Sequence, residues 1–240
     1  MKIDIPWLPN IVRLETYYNG DNFDYIQLIK DRYIDLMSDF CNDTTPVIFK
    51  GSRVYLDESP LYCDKLRIKN CLNDEFYTCN NCPFDGMFDI FNHICTIEYT
   101  KKKVKAKNGS IRLKKEYKKV GDKSIPRTPG EFCIPRVLLS NWIKPIIMNA
   151  EDKNYVVIDK DKNIYTIELI HRKYRIHLKQ KFNNQGQRYF ILTTAYFFTE
   201  PKEIIDQENL KFINVALENI KLLQKRNATS GVSTTPCIDL

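Results

Sequence analysis

Apolar and polar positions alternate with two different periods along this chain, and the period changes near the middle. From Asp24 the spacing is helical. Tyr25, Leu28, Ile29, Tyr33, Leu36, Met37 and Phe40 recur near i, i+3 and i+4, which puts them on one face of a helix ending about Cys41. Asp24 is placed to cap it, because a carboxylate there can accept an orphaned backbone N–H of the first turn. Residues 46–50 and 53–56 are short β-type runs joined across Gly51-Ser52, which predicts a hairpin. A short helix follows over Met87, Phe88, Ile90, Phe91 and Ile94.

In the second half the period is two. Tyr155–Asp159, Ile164–Ile170, Tyr174–Lys179 and Arg188–Phe198 read as strands with short polar connections, the pattern of an antiparallel meander. Glu203–Lys225 turns helical again through Ile204, Leu210, Ile213, Leu217, Ile220 and Leu223. The expected fold class is α+β: an N-terminal helix, an antiparallel sheet in the C-terminal half and a closing C-terminal helix. The expected organisation is one compact domain. Its segments are an N-terminal helix and hairpin (1–62), a cysteine-rich insertion (63–83), a core (84–200) carrying a basic insertion (101–119), the closing helix (201–225) and a disordered tail (226–240).

Composition narrows the classes. The chain has 240 residues, 12% of them aromatic, which is enough for a substantial core and too apolar for global disorder. It has no apolar run of membrane-spanning length and no signal-peptide pattern at Met1–Trp7, so a cytoplasmic protein without a membrane partner is expected. The formal net charge is +7. That basicity is local: ten of the nineteen residues from Lys101 to Lys119 are Lys or Arg, against one acid, Glu116. Asn108-Gly109 at its centre suits a hairpin turn, with strands at 96–106 and 110–119. Lys101, Lys102, Lys103, Arg112, Lys114 and Lys115 are therefore candidate contacts to a phosphate backbone. A second basic stripe comes from strand alternation: Arg175, His177, Lys179 and Lys181 share one face, opposite Ile176 and Leu178. Arg175, Lys179 and Lys181 join the candidate nucleic-acid contacts, and a solvated outer face is the alternative.

Candidate chemistry is sparse. The eight cysteines of a cytoplasmic chain read as thiols or metal ligands. Cys79 and Cys82 have zinc-knuckle spacing, and with Cys63 and Cys71 they form a candidate structural zinc set; reduced cysteines in an insertion are the alternative. Neither a phosphate-binding glycine loop nor a metalloprotease or nucleophile-elbow motif is present. Among the three histidines, His171 reads as a surface turn residue. His93 ends an aromatic run, where burial would tune an imidazole for proton transfer.

Two further segments carry a resemblance. Glu131-Phe132-Cys133-Ile134-Pro135-Arg136 leads into Trp142-Ile143-Lys144-Pro145-Ile146-Ile147, a W-I-[RK]-P-I-I pattern. A later strand ends in Leu192-Thr193-Thr194-Ala195-Tyr196, and Phe91-Asn92-His93 gives an aromatic-x-His pattern upstream. Together these resemble a phage- and mobile-element-borne nuclease-like family of the barnase–EndoU–colicin–RelE type (PBECR-like). The resemblance covers about 85–200 and, more weakly, the first 60 residues. The cysteine-rich and basic insertions depart from the pattern, and the Arg-rich segment keeps only Arg136. The resemblance implies a toxin-like endoribonuclease that needs no cofactor for catalysis, with RNA as substrate and an inhibitor or antitoxin protein as a partner. It implies His93 as acid or base, Arg136 and Lys144 as phosphate clamps, and Thr194 and Tyr196 as phosphate-binding or proton-transfer groups. The alternative is a non-catalytic nucleic-acid-binding or accessory protein with a structural zinc insertion.

Overall fold

The computed structural model describes residues 4–20, 22–57, 87–95, 99–105, 111–117, 133–197 and 212. Two short strands, β1 (Tyr18–Asn19) and β2 (Asn22–Phe23), precede helix α1 (Tyr25–Cys41). α1 starts where the sequence places it: Asp24 accepts a hydrogen bond from the Gln27 backbone N–H at 2.9 Å. Its buried residues, Tyr25, Leu28, Ile29, Leu36 and Phe40, belong to the predicted stripe, and the other two members, Tyr33 and Met37, are partly buried against the core.

β3 (Ile48–Phe49) and β4 (Ser52–Tyr55) form the expected hairpin, but the turn sits one residue earlier than Gly51-Ser52. Lys50 and Gly51 both have positive φ, 48° and 72°. A two-residue turn of that hand matches the twist of the flanking strands, and glycine adopts it without a Cβ clash. Helix α2 is Asp89–Cys95. β5 (Tyr99–Lys105) pairs antiparallel with β6 (Ile111–Tyr117) as a separate two-stranded sheet.

α3 (Ile134–Leu138) runs through a 3-10 turn, Leu139–Trp142, into α4 (Ile143–Met148). Then come β7 (Val156–Asp161), β8 (Ile164–Leu169), β9 (Tyr174–Phe182) and β10 (Arg188–Phe197). These form the predicted meander within a six-stranded sheet of order β3-β4-β10-β9-β8-β7. The sequence did not indicate how the N-terminal hairpin joins it. β4 pairs with β10 in parallel, Val54 opposite Phe190 and Tyr55 opposite Ile191, which makes β10 an interior strand.

One face of the sheet is apolar and carries the helices. Tyr165, Ile167, Leu169, Tyr174, Ile176, Leu178, Phe190, Leu192 and Phe197 are all buried. Trp142 meets the Tyr174 ring edge-on at 5.9 Å between centroids. The Tyr174 hydroxyl donates to the Leu139 carbonyl at 3.2 Å, so the ring fills the core while its polar end is satisfied. Trp7 and Trp142 tie down the lead-in segment through their indole N–H groups, to Asp152 at 3.0 Å and to the Pro9 carbonyl at 3.1 Å.

The mixed fold class is as expected. Within the expected closing helix, 201–225, only Phe212 is described; it is helical and packs on Tyr18, ring centroids 5.4 Å apart. The rest of that segment, the tail at 226–240, the cysteine set Cys63, Cys71, Cys79 and Cys82, and the turn at Asn108-Gly109 lie outside the described residues. No helix among the described residues is long and apolar enough to cross a membrane.

Candidate active site on the open sheet face

Strand alternation creates the site. On β8 and β9 every second residue is buried, which leaves Thr166, Glu168, Arg175, His177 and Lys179 on the opposite, polar face. Cross-strand register aligns them: Thr166 is opposite His177, and Glu168 is opposite Arg175.

β10 joins this face through a change of phase. Phe190 and Leu192 are buried at even positions, and Ala195 and Phe197 at odd ones. The shift occurs at an irregularity between Leu192 and Thr194, where Thr193 is the extra residue. A β-bulge of this kind inserts one residue and re-aims every side chain beyond it. Thr193 anchors the bulge by donating its hydroxyl to the His177 carbonyl at 3.0 Å. The consequence is a change of face. Thr194 now pairs with His177 and Tyr196 with Arg175, so both stand on the polar face.

His177 is the centre. Its Nδ1 lies 3.1 Å from the Thr166 hydroxyl and its Nε2 lies 3.3 Å from the Tyr196 hydroxyl. The imidazole and phenol rings stack, with centroids 5.7 Å apart and planes 19° apart. A neutral imidazole has one N–H and one lone pair. Bridging two hydroxyls, it donates to one and accepts from the other. Burial, and then the Arg175 charge, push its pKa below the usual 6.5. The neutral, proton-accepting form is therefore the resting form at neutral pH.

Cations surround the tyrosine. Arg175 donates from Nε to Glu168 at 2.7 Å and also hydrogen-bonds the Tyr196 side chain. The bond to Glu168 raises the Arg175 pKa and fixes its guanidinium. The Arg136 guanidinium, reaching from α3, lies 5.8 Å from the Tyr196 ring centroid, within cation–π range. Where the chain supplies the second arginine, the local floor is buried: Cys95 and Cys133 are fully covered, and Cys133 N–H donates to the Cys95 carbonyl at 2.8 Å. Burial raises the Cys95 thiol well above its ordinary value, so it is a packing residue and not a ready nucleophile.

The structure thus brings together Arg136, Thr194 and Tyr196 of the expected catalytic set and adds His177, Thr166 and Glu168. Arg175 belongs to the same cluster, beyond its expected role in binding. Lys144 is placed elsewhere. It pairs with Asp39 of α1 at 3.2 Å, in a polar cleft of about 510 Å³ lined also by Arg32, Asp35, Ser38 and Asn141. That cleft belongs to the helical layer on the apolar side of the sheet, where α4 packs because Ile143, Ile146 and Ile147 are buried.

His93 does not become a buried imidazole. It is exposed on α2, while Phe91, Ile94 and Cys95 of the same helix are buried. α2 packs against β10 and α3, the elements that carry Tyr196 and Arg136. His171 is exposed, as expected, with its ring edge-on to Tyr155.

Among the expected nucleic-acid contacts, Lys179 is half-buried and Lys181 exposed on the His177 face. Lys101, Lys102, Lys103, Arg112, Lys114 and Lys115 sit on β5 and β6, and their side chains are not among those described. The register sets Lys101 opposite Lys115 and Lys102 opposite Lys114. Among the described residues no group of three His, Cys, Asp or Glu side chains is arranged to hold a metal ion.

No family model matches this sequence, and comparisons with curated proteins and with solved structures give no match.

Proposed function

We propose that this protein is an endoribonuclease that cleaves RNA by attack of the ribose 2′-hydroxyl on the adjacent phosphate. The reaction needs a base for the 2′-proton, an acid for the leaving 5′-oxygen and positive charge at the phosphoryl group. Neutral His177 is the base. Tyr196, hydrogen-bonded to it and to Arg175, donates the proton to the leaving oxygen. Arg175 and Arg136 stabilise the charge that builds on the phosphoryl oxygens. Thr166 orients the imidazole, Glu168 holds Arg175, and Thr194 supplies a further hydroxyl beside the reacting phosphate. The products are a 2′,3′-cyclic phosphate and a 5′-hydroxyl end.

The observation that carries this reading is the His177–Tyr196 contact beside two arginines on a solvent-facing sheet. A proton acceptor, a proton donor and two cations share one small polar surface, and every one of those groups is a side chain of this chain. The resemblance to PBECR-like nucleases points the same way. A cytoplasmic enzyme of this kind requires restraint by an inhibitor protein.

A second reading, RNA binding without cleavage, draws on β5 and β6. Like charges directly opposite across a strand pair are destabilising, and a bound polyanion relieves them. Incubating purified wild-type, His177→Ala and His93→Ala proteins with single-stranded RNA separates the readings. Cleavage by wild type and by His93→Ala, lost in His177→Ala and leaving cyclic phosphate ends, is the expected result. Tight binding with intact RNA in all three would establish the second reading. Cleavage lost only with His93→Ala would return the chemistry to α2.

A further inference from the structure

The polar face does not end at the cluster around His177. Following β10 toward its start, the register places Ile191 opposite Lys179 and Tyr189 opposite Lys181, so Tyr189 and Ile191 share the face of His177. Across the other edge of β10, Tyr55 of β4 is opposite Ile191 and stands on that same face. The Tyr55 and Tyr189 rings meet edge-on, with centroids 5.8 Å apart and planes at 83°. The Arg53 guanidinium lies 5.0 Å from the Tyr55 ring centroid. It is held on its other side by Asp43 at 2.6 Å.

Three features set this patch apart from ordinary sheet surface. Tyr55 is 40% exposed although it is a large aromatic in an interior strand. Its ring is braced and not loose: the Tyr189 ring packs on it at near right angles, and Arg188 donates to the Ser52 hydroxyl at 3.0 Å and to the Lys50 carbonyl, locking β10 to the β3–β4 turn. The surrounding charge is positive, from Arg53, Lys179 and Lys181, with Asp43 committed to Arg53. A braced, part-exposed aromatic with cations beside it is the kind of surface that single-stranded nucleic acid recognises: bases stack on the ring while phosphates meet the cations.

Distance fits the same strand of RNA. From His177 to Tyr55 is two residues along the sheet and two strand spacings across it, roughly 12 Å. A nucleotide flanking the scissile phosphate reaches that far. The geometry points to a stacking subsite at Tyr55 and Tyr189 that takes an unpaired base next to the cleavage point and restricts the substrate to single-stranded RNA. This inference rests on RNA being the ligand of the His177 face. A paired base cannot offer its face to the ring, so a duplex is excluded by chemistry and not by size.

The test separates this subsite from the cleavage reaction. Tyr55→Ala, Tyr55→Leu and Tyr55→Phe are placed in full-length His177→Ala protein, which binds without turnover. The probe is a fluorescein-labelled oligouridylate of about ten nucleotides, with a matched duplex as control. Tyr55→Ala and Tyr55→Leu are expected to weaken single-strand binding about tenfold, with Tyr55→Phe near the parent. Duplex binding is weak and unchanged throughout. An oligonucleotide carrying 2-aminopurine shows quenching at one position with the parent and none with the Tyr55→Leu variant. Equal single-strand affinity for the parent and the Tyr55→Leu variant, at equal thermal stability, would overturn the subsite, and so would equal losses for single strand and duplex. A protein that stacks RNA at Tyr55 but cleaves no RNA would keep the subsite and sink the enzyme.

Discussion

His177 Nε2 and the Tyr196 hydroxyl lie 3.3 Å apart across neighbouring strands, with their rings stacked at 19°. In the proposed reaction they are base and acid, and groups that touch act as one unit, so their losses do not add. Tyr196→Phe keeps the stack and removes only the hydroxyl; it is expected to lower kcat about 10²-fold. His177→Ala is expected to lower it about 10³-fold, and the double variant to lose little more than His177→Ala alone. Single-turnover cleavage of one RNA by all four proteins gives the cycle. Fully multiplicative losses would mean that the two residues work independently.

The pH profile follows from the charge around His177. Burial and Arg175 lower its pKa from 6.5, so kcat/KM is expected to rise with pH along an acidic limb whose apparent pKa lies below 6.5. Arg175→Ala removes a repelling cation and leaves Glu168 unpaired. Both changes favour imidazolium, and the limb moves to higher pH. Stability has the same sign. The folded pKa of His177 is below its unfolded value, so its contribution is complete above pH 6.5 and is lost as pH falls through the folded value. Urea denaturation from pH 7.5 to 5 should show wild type losing more stability than His177→Phe. An acidic limb that stays in place in Arg175→Ala would remove His177 as the titrating base.

Lys144 provides a negative control. Its partner Asp39 has a pKa raised by burial in spite of the lysine beside it, so desolvation outweighs the pair. Both side chains are about a third exposed or less, 26% and 32%. Lys144→Met and Asp39→Asn are therefore expected to change stability by no more than about 1 kcal/mol and to leave RNA cleavage within about twofold. A 10²-fold loss in Lys144→Met would place this lysine in the chemistry despite its position in the helical layer.

The Tyr174 hydroxyl holds the 3-10 turn to the sheet. Tyr174→Phe leaves the Leu139 carbonyl without that donor in a dry site, and a cost of about 1–3 kcal/mol is expected. Trp142→Ala removes the ring packed on it, at about 3–5 kcal/mol. Thermal or denaturant unfolding measures both. Cleavage at a temperature where each variant is folded should persist in Tyr174→Phe, because the hydroxyl points away from the His177 face.

Much of this architecture is legible in the apolar pattern. α1 and its Asp24 cap follow from spacing, and the four strands of the meander follow from alternation and short polar turns. The Arg175-His177-Lys179 face is legible too, because β9 has no irregularity over those residues. The cluster around His177 is not legible because its partners come from other strands: no feature of one strand reveals the register that sets Thr166 and Tyr196 beside it. A trace of the bulge does exist in the sequence. The buried residues of β10 switch from even to odd positions between Leu192 and Ala195, and only an inserted residue can do that within one strand. His93 drew attention through its aromatic neighbours, yet those neighbours face inward and leave the imidazole outside. Lys144 sits beside the core residue Trp142, but its own position on the helix turns it toward α1. The parallel β4–β10 pair joins segments too far apart for local pattern to report.

That last pairing governs the order in which the molecule can be completed. Arg188 and Ser52 are 136 residues apart in sequence and adjacent in space. On a ribosome, β4 emerges early and must wait for β10, and the meander keeps an unpaired edge until the two meet. Closing so long a loop slows folding through lost chain entropy. Tyr196, the acid of the proposed reaction, is also near the end of β10, so a nascent chain lacks it until almost the whole sheet has been synthesised. An RNA-cleaving enzyme, as proposed, would be made beside ribosomal RNA and its own message, and this topology would delay its activity until the last strand of the sheet is in place.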